Sequence, residues 1–354
     1  MFRGNELYDR CRKHQNLLGT LASIEEELNK RFFEADKAVR AMILAVATGE
    51  PLLFVGAPGV AKSMMIRTFC RMTGLLPPED PSPSDVIEQS AEYFEYLLTP
   101  FTEPGELFGF WDFEKLHNEH VLQRANHGRM MQHARVVYLD EVFNGSGAIL
   151  NSILSFLNER LFHDNNRVIP VGMENLFGAT NQVPETDDLR AVYDRFVLRC
   201  GMHNVKATGE ALRGLLARGW KTTYSKRVEP VADVKNFWNS LAAFRNSLND
   251  LTLTDAPPVY QALATMISTA RRYEMSDVSN RRLIKFVRVM AAHRIYEGCL
   301  SNEKPRQFDE APVRREDLAL LGKYFLDVVD DPENEQKLNQ LLSLTKLEPW
   351  KEGP

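Results

Sequence analysis

The sequence of 354 residues is poor in cysteine: it has four, far apart in the chain and without a CxxC pair. Such sparse use is typical of a reducing compartment, with the thiols buried or idle. No run approaches the roughly 18 apolar residues that a membrane-spanning helix needs. The first residues also show no apolar stretch or cleavage pattern of a signal peptide. These absences predict a cytoplasmic protein without a membrane span.

An excess of charge of one sign is also missing. The chain carries 43 Lys and Arg against 48 Asp and Glu, a net charge of −5. General affinity for nucleic acid or for an anionic membrane is therefore not expected. Net charge does not exclude a basic pore in an assembly, because it says nothing about a single surface patch. With 44% hydrophobic residues, the chain has the composition of a globular protein and the length for two domains.

Five short apolar runs alternate with helix-like segments in the first 200 residues, at 52–55, 94–98, 136–139, 176–179 and 196–198. This alternation predicts an α/β fold with a parallel sheet covered by helices on both faces. Beyond about residue 200 the helical patterns have no strands between them, which predicts a small all-helical second domain. We expect N-terminal helices and a nucleotide-binding core at 1–205, a connecting segment at 206–257, a helical domain at 258–330 and a tail at 331–354. The acidic stretch 327–335 is expected to be a solvated face or a partner contact.

A glycine-rich segment, GAPGVAKS, separates the first apolar run from the helix after it. A strand, a glycine-rich loop and a helix in this order are the context of a P-loop, in which backbone N–H groups and the helix N-terminus face phosphates. Lys62 would reach the β- and γ-phosphates, and the Ser63 hydroxyl would bind Mg²⁺. The bland alternative is a chance Gly/Pro turn before a helix. The residues predicted to contact ATP are Gly56, Ala57, Pro58, Gly59, Val60, Ala61, Lys62, Ser63 and Met64.

Ala61 stands where a P-loop usually has glycine. A methyl group is tolerated there if the residue has helical φ and ψ, because only a positive φ demands glycine. Helical backbone angles at Ala61 are therefore the expectation.

The third apolar run ends in two carboxylates, Asp140 and Glu141. Asp140 would hold Mg²⁺ at the carboxyl edge of the sheet, where ligands of open α/β folds collect. Glu141 would orient or deprotonate the attacking water. Alone, the pair would be no more than a solvated turn, but together with the P-loop it predicts an ATPase. Asn181 follows the fourth apolar run and could contact the γ-phosphate or the water, although by itself an asparagine here is better explained by a turn.

Several motifs in a fixed order resemble the MoxR family of AAA+ proteins, and within it the RavA-like branch. They are GAPGVAKS at 56–63, TPFTEPGELFG at 99–109, VVYLDEVFNGSGAILNSILSFLNERLF at 136–162, FGATNQ at 177–182, LRAVYDRFVLR at 189–199 and VSNRRL at 278–283. The resemblance implies ATP hydrolysis with Mg²⁺, a five-stranded parallel sheet in the order 5-1-4-3-2 and a helical lid. It also implies hexamers that bind ATP between subunits, and a partner with a von Willebrand factor A (VWA) domain.

The same resemblance assigns roles to polar residues outside the P-loop. Asn181 resembles the residue that senses the γ-phosphate, and Arg195 resembles an arginine finger that enters the neighbouring subunit's site, with Arg199 as the competing candidate. Arg281 matches the lid arginine that reaches phosphate, and the adjacent Arg282 leaves this assignment open by one residue. Without the resemblance, surface ion pairs would explain these arginines. The resemblance also implies a helical insert within 113–133 and a hairpin over 160–171.

Three function classes follow. The first is an AAA+ motor or chaperone of MoxR type that remodels or activates a protein partner. The second is a nucleic-acid-dependent motor, since such motors share the helical insert, although the charge balance argues against nucleic acid as a partner. The third is a chelatase-like ATPase subunit.

Overall fold

Two compact units make up the chain. In this computed structural model, the described residues are 1–77, 91–124, 128–164, 167–224, 228–231, 234–345 and 347. The sheet unit comprises Pro51–Phe196 and Met202–Pro230, and the helical unit comprises Met1–Glu50, Val197–Gly201 and Val231–Pro354. The first 50 residues thus group with the C-terminal helices, whereas we expected them to belong to the nucleotide-binding core.

The described ranges contain seven strands, which are β1 Leu52–Val55, β2 Tyr93–Leu97, β3 Val136–Asp140, β4 Leu161–Asp164, β5 Arg167–Pro170, β6 Asn175–Thr180 and β7 Leu198–Gly201. Five of them form one sheet in the order β2-β3-β6-β1-β7. The pairs β2–β3, β3–β6 and β6–β1 are parallel. The predicted strands 1 to 5 correspond to β1, β2, β3, β6 and β7. Read from the β7 edge, the observed order is therefore 5-1-4-3-2. The predicted α/β fold and strand order are confirmed.

The α-helices of the described ranges follow in chain order. They are α1 Gly4–Lys13, α2 Gln15–Arg31, α3 Asp36–Thr48, α4 Lys62–Met72, α5 Pro104–Phe108, α6 Phe113–Glu119, α7 Gly147–Glu159, α8 Asp187–Tyr193, α9 Gly209–Tyr224, α10 Val234–Asn249, α11 Pro257–Arg272, α12 Asn280–Leu300, α13 Pro305–Glu310, α14 Arg315–Tyr324 and α15 Pro332–Ser343. Helices α9 and α10 lie in the stretch that we expected to be a connecting segment. None of the helices in these ranges combines the length and the apolar character that a bilayer crossing requires.

The core of the sheet unit forms around its central strands. Every residue of β6 is buried, and so are the apolar residues of β3, as expected for strands covered on both faces. Helix α4 lies on one face, where the ring of Phe69 packs edge-on against Phe177 of β6 with 6.4 Å between ring centroids. Fully burying a side chain of this size contributes roughly 1.5–3 kcal/mol. This packing fixes α4, and with it the loop that precedes α4.

A separate two-stranded hairpin is formed by β4 and β5. The strands are antiparallel and pair from Leu161 with Pro170 to Asp164 with Arg167. The predicted hairpin at 160–171 is therefore present, while its turn residues 165–166 lie outside the described residues. Helix α6 falls within the predicted insert at 113–133.

The helical unit is built around α12, which packs against α1, α2, α3, α10 and α14. Arg40 of α3 pairs with Glu25 of α2 at 2.6 Å, and the Tyr296 hydroxyl of α12 donates to the same carboxylate at 2.7 Å. Lys37 binds both Asp330 and Glu335, at 2.5 and 3.0 Å. The expectation that 327–335 is a solvated face or partner contact is therefore wrong for Asp330 and Glu335, and also for Asp327, which binds two arginines of the same unit.

Candidate nucleotide site

The glycine-rich loop joins β1 directly to α4: the strand ends at Val55 and the helix begins at Lys62. The predicted order of strand, loop and helix is thus present. Gly56 has to be glycine, because a Cβ built there would lie 2.1 Å from the carbonyl oxygen of Met202. Gly59 has φ +87°, a backbone angle that side chains disfavour. The two glycines permit the tight curl of a phosphate-binding loop.

Ala61 does not have the helical backbone angles that we expected. It lies at φ +66° and ψ +23°, in the left-handed region, and is the N-cap of α4. The chain changes direction at this residue before α4 starts, so the loop imposes the positive φ on a residue with a Cβ. A left-handed conformation costs such a residue about 1–2 kcal/mol. The methyl group is therefore tolerated under strain, and the expectation was wrong.

Lys62 turns its side chain back over the loop and is only 7% exposed. Its ammonium group donates to the carbonyl oxygen of Gly56, to that of Thr180 at 3.4 Å and to Oδ1 of Asn181 at 3.3 Å. Burial lowers the pKa of Lys62, and the carboxylates of Asp140 and Glu141 act against that shift. Lys62 and Asn181, which are 119 residues apart in sequence, thus meet at one place.

Asp140 ends β3, and Glu141 follows it with φ +49°, again in the left-handed region. The Asp140 Oδ1 atom accepts a hydrogen bond from the Glu141 backbone N–H at 3.0 Å. Burial and the charge of Asp140 raise the pKa of Glu141, while Lys62 and a hydrogen bond from the Asn181 backbone N–H oppose the rise. Non-glycine residues held at positive φ are costly and concentrate at functional sites.

These side chains converge because their strands are neighbours. Strand β6 lies between β1 and β3, and all three run parallel. Parallel strands bring their carboxyl ends to one edge of a sheet, which is where ligands of open α/β folds bind. The structure therefore brings Lys62, Asp140, Glu141 and Asn181 together at that edge.

Ser63 and Asp140 are the two predicted Mg²⁺ ligands. Ser63 lies in the first turn of α4, directly after Lys62. Hydroxyl and carboxylate oxygens suit Mg²⁺, which commonly takes one or two protein ligands and completes its shell with phosphate oxygens and water. In the described part of the chain, no cluster of three or more His, Cys, Asp and Glu side chains could hold a metal alone. The donors thus fit a cation that a nucleotide helps to hold.

A polar network adjoins Asp140 on the face of the sheet that α4 covers. Arg67 of α4 donates two hydrogen bonds to Glu95 of β2, at 2.6 and 2.8 Å. The Tyr93 hydroxyl donates to the same carboxylate at 2.9 Å. Burial, and then the carboxylates of Asp140 and Glu95, raise the pKa of Tyr138 in β3. Sequence reasoning missed this network, because its residues come from a helix and two strands, and Arg67 lies 28 residues from Glu95.

The two finger candidates differ in their surroundings. Arg195 follows α8, has a side chain that is 24% exposed and pairs with Asp194 at 3.3 Å. Arg199, on β7, is 1% exposed. Its guanidinium group binds the Asp327 carboxylate and the Leu326 carbonyl oxygen within the helical unit. Arg195 is thus the more exposed of the two finger candidates, and the assignment of the finger stays a prediction.

The two lid candidates differ in the same way. Arg281 is exposed in the first turn of α12, whereas Arg282 is 1% exposed. Arg282 donates to Asp327 at 2.7 Å and to the carbonyl oxygen of Phe325. Its backbone N–H donates to the side chain of Ser279, the N-cap of α12. Arg281 therefore remains the candidate for reaching a phosphate.

Asp327 is a residue whose role sequence reasoning missed. Its carboxylate binds Arg199 and Arg282 and also accepts a hydrogen bond from the Ser276 hydroxyl at 2.7 Å. Burial acts to raise the pKa of Asp327, but the two guanidinium groups outweigh it and lower the pKa to about 2. We call Arg199, Arg282, Asp327 and Ser276 the Asp327 cluster. No local signal identifies it, because Asp327 lies 51, 45 and 128 residues from Ser276, Arg282 and Arg199.

The family model of the MoxR domain in MoxR-vWA-beta-propeller ternary systems matches residues 19–237, which is more than half of the chain. The chain belongs to this MoxR family. The family and the fold together support an AAA+ ATPase of MoxR type, for which nucleotide use is the family property. The match includes the P-loop, the carboxylate pair and Asn181.

Proteins similar to this MoxR chain include two uncharacterized proteins of Methanocaldococcus jannaschii, MJ0812 and MJ0079. They are 35% and 34% identical to it over 53% and 54% of this chain, and the matched part is 46% of each relative. The structural protein ORF618 of Acidianus two-tailed virus is 30% identical over 53% of this chain and 28% of its own length. The matches thus span less than half the length of each relative.

Among solved structures, the MoxR chain is similar to a candidate ATPase from Cytophaga hutchinsonii. The TM-score is 0.63 at 15% sequence identity, over 96% of this chain and 97% of the other. At this identity the likeness shows the fold alone. It extends the similarity in fold beyond the region that the family model covers.

Proposed function

We propose that this MoxR chain is an ATP-hydrolysing AAA+ motor that remodels or activates a protein partner. The observation that carries the proposal is the meeting of Lys62, Asp140, Glu141 and Asn181 at the carboxyl edge of three adjacent parallel strands. A lysine, a metal-binding carboxylate, a second carboxylate and an amide are the parts that hydrolysis of a phosphoanhydride needs.

Each side chain takes a separate task in the proposed reaction. The loop from Gly56 to Met64 holds the phosphates, and Lys62 neutralises charge that builds on the β- and γ-phosphate oxygens. Ser63 and Asp140 would hold Mg²⁺, which when bound screens the phosphate charge. Glu141 accepts a proton from the attacking water, and its raised pKa brings it nearer the operating pH than an ordinary glutamate. Asn181 orients the γ-phosphate or the water.

The proposal includes an assembly in which sites are shared between subunits. Arg195 would enter a neighbouring subunit's site and stabilise the transition-state charge. A hexamer is the assembly that the motif resemblance implies, with Arg281 as the lid arginine. A protein with a VWA domain is the proposed partner, since the matching family is described by systems that contain one. Membership of the RavA-like branch stays a prediction from the motifs.

ATP turnover measured against protein concentration tests the proposal. Specific activity is expected to rise with concentration, and Glu141→Gln to bind ATP without turnover. Arg195→Ala should lose most turnover, and mixing these two inactive variants should restore part of it. Arg190→Ala, which removes an exposed arginine of α8, is the matched control and should keep wild-type turnover.

Two results would contradict the proposal. Turnover that is independent of concentration and of Arg195 would point to a monomeric P-loop enzyme. Turnover that rises on addition of single-stranded DNA, and does not respond to a VWA-domain protein, would favour a nucleic-acid-dependent motor.

A further inference from the structure

The middle of β3 carries a tyrosine between two buried apolar residues, Val137 and Leu139. Tyr138 has 0% of its surface exposed. Its hydroxyl has no hydrogen-bond partner of normal geometry within the described ranges. A buried polar group without a partner costs about 1–3 kcal/mol. The hydroxyl therefore does not serve the stability of the fold as it stands.

The strand register places this hydroxyl beside the metal-binding carboxylate. Residues two apart in a strand project from the same face of the sheet, so Tyr138 shares a face with Asp140. Tyr138 pairs in register with Glu95 on β2 and with Phe177 on β6. Helix α4 covers this face through Phe69, which packs on Phe177, and through Arg67, which binds Glu95. The hydroxyl thus lies under the phosphate-binding helix.

Of the two carboxylates that face the hydroxyl, one is already engaged. Glu95 accepts two hydrogen bonds from Arg67 and one from Tyr93. Asp140 accepts one, from the Glu141 backbone N–H, at Oδ1. A carboxylate has lone pairs for about four hydrogen bonds or metal contacts. Asp140 therefore retains the capacity both to bind a cation and to accept from Tyr138.

We propose that Tyr138 is a positioning residue of the metal site. When the nucleotide and Mg²⁺ are bound, its hydroxyl donates a hydrogen bond to the Asp140 carboxylate and holds that carboxylate in the orientation in which it binds the cation. The inference rests on the proposed ATPase function, since it takes Asp140 as the metal ligand. Groups that orient a metal ligand in this way commonly change metal affinity by 10- to 100-fold when they are removed.

The test is Mn²⁺ binding in the presence of a non-hydrolysable ATP analogue, measured by electron paramagnetic resonance, for wild type and Tyr138→Phe. The dissociation constant for Mn²⁺ is expected to rise by about tenfold. Affinity for the analogue with the divalent cation chelated should not change. Thermal unfolding without nucleotide or divalent cation should show that Tyr138→Phe is at least as stable as wild type, because in that state the variant removes a buried hydroxyl without a partner.

Tyr93→Phe is the matched control. It removes a hydroxyl from the same face of the sheet and the same network. That hydroxyl donates to Glu95 and is not adjacent to Asp140. This variant should keep wild-type Mn²⁺ affinity and lose some stability. Unchanged Mn²⁺ binding in Tyr138→Phe, or an equal loss in Tyr93→Phe, would overturn the inference while leaving the ATPase proposal intact. Failure of the wild type to bind any nucleotide would overturn both.

Discussion

The candidate nucleotide site of the sheet unit and the Asp327 cluster of the helical unit are both buried groups of charge, but their charges are paired differently. The Lys62 ammonium contacts two backbone carbonyl oxygens and one amide oxygen, and its pKa is lowered. In the cluster, Arg199 and Arg282 share the Asp327 carboxylate, whose pKa is about 2. One site holds its cation without a direct carboxylate contact, and the other pairs two cations with a shared carboxylate.

Backbone geometry separates the two regions further. At the candidate nucleotide site, Ala61 and Glu141 both have positive φ, and neither is glycine. In the cluster, Arg282 is in the first turn of a regular helix with a side-chain N-cap. Strain and incomplete pairing are tolerated where they serve binding, at a cost in stability. We therefore expect Lys62 to serve the proposed reaction and Arg199 and Arg282 to serve the stability of the fold.

Replacement of Lys62 should separate the two regions most clearly. Lys62→Met is expected to lower turnover by at least about a hundredfold, the effect of removing one preorganised donor to developing charge. The temperature of thermal unfolding should hardly change, because the hydrogen-bond partners of Lys62 are carbonyl and amide oxygens and not a carboxylate. Arg282→Met is the counterpart, with lost stability as its main effect. If Lys62→Met unfolded as readily as Arg282→Met, the distinction between the two regions would fail.

Asp327→Asn should be the most destabilising single change in the cluster, because it leaves two buried guanidinium groups without their carboxylate. We expect a loss of about 3 kcal/mol in urea unfolding, the low end for breaking a buried pair, since Asp327 is itself partly exposed. Asp277→Asn is the control. Asp277 pairs with Arg271, and its side chain is 92% exposed, so this variant should change the free energy of unfolding by less than about 0.5 kcal/mol.

The pH dependence of the same cluster follows from the lowered pKa of Asp327. A carboxyl whose pKa is depressed on folding stabilises the fold above its unfolded pKa of 3.8 and loses that contribution as pH falls towards 2. The wild type should therefore lose stability over this interval, and Asp327→Asn should lose less. Parallel acid titrations followed by circular dichroism would check this expectation.

Turnover should fail at a higher pH than the fold does. The pKa of Glu141 is raised by burial and by Asp140, and the ionised form is the one that accepts a proton. Activity should therefore fall on the acid side, through a pKa above the usual range of glutamate near 4.3. The measurement is kcat against pH, with circular dichroism at each point. A loss of turnover that coincides with unfolding would remove the evidence for Glu141 as the base.

The smallest effect is expected at Ala61. Ala61→Gly relieves a positive φ that costs about 1–2 kcal/mol, while glycine loses about 0.4–1 kcal/mol through the unfolded chain. We expect a net gain of roughly 0.5 kcal/mol in urea unfolding. Gly59→Ala, at φ +87°, is the matched control and should change stability with the opposite sign. If both variants lost stability, strain at Ala61 would not be the explanation.

Much of the site was predictable because its chemistry is local in sequence. The P-loop, Asp140 and Glu141 each lie next to an apolar run, and a run followed by a polar turn is visible without a structure. Asn181 needed the family resemblance, since an asparagine after a strand is ambiguous. The strand order also came from the resemblance, because apolar periodicity does not determine which strands pair.

What could not be predicted depends on contacts across the chain. Asp327 lies 45 residues from Arg282 and 128 from Arg199, so nothing local distinguishes it from a solvated acidic residue. Tyr138 is part of an apolar run, and its role could not be predicted without the strand register that places Glu95 and Asp140 near its hydroxyl. The backbone angle of Ala61 is set by closure of the loop around it.

The close approach of Met202 to Gly56 has a mechanical consequence. The Met202 N–H donates to the carbonyl oxygen of Val55 at 2.8 Å. The carbonyl oxygen of Met202 occupies the space that a side chain at Gly56 would need. The backbone of Met202, which follows β7, therefore contacts the first residue of the P-loop directly, with no side chain between the two backbones. Because the two backbones are in contact, a displacement of the segment at Met202 would move the backbone of the P-loop at Gly56.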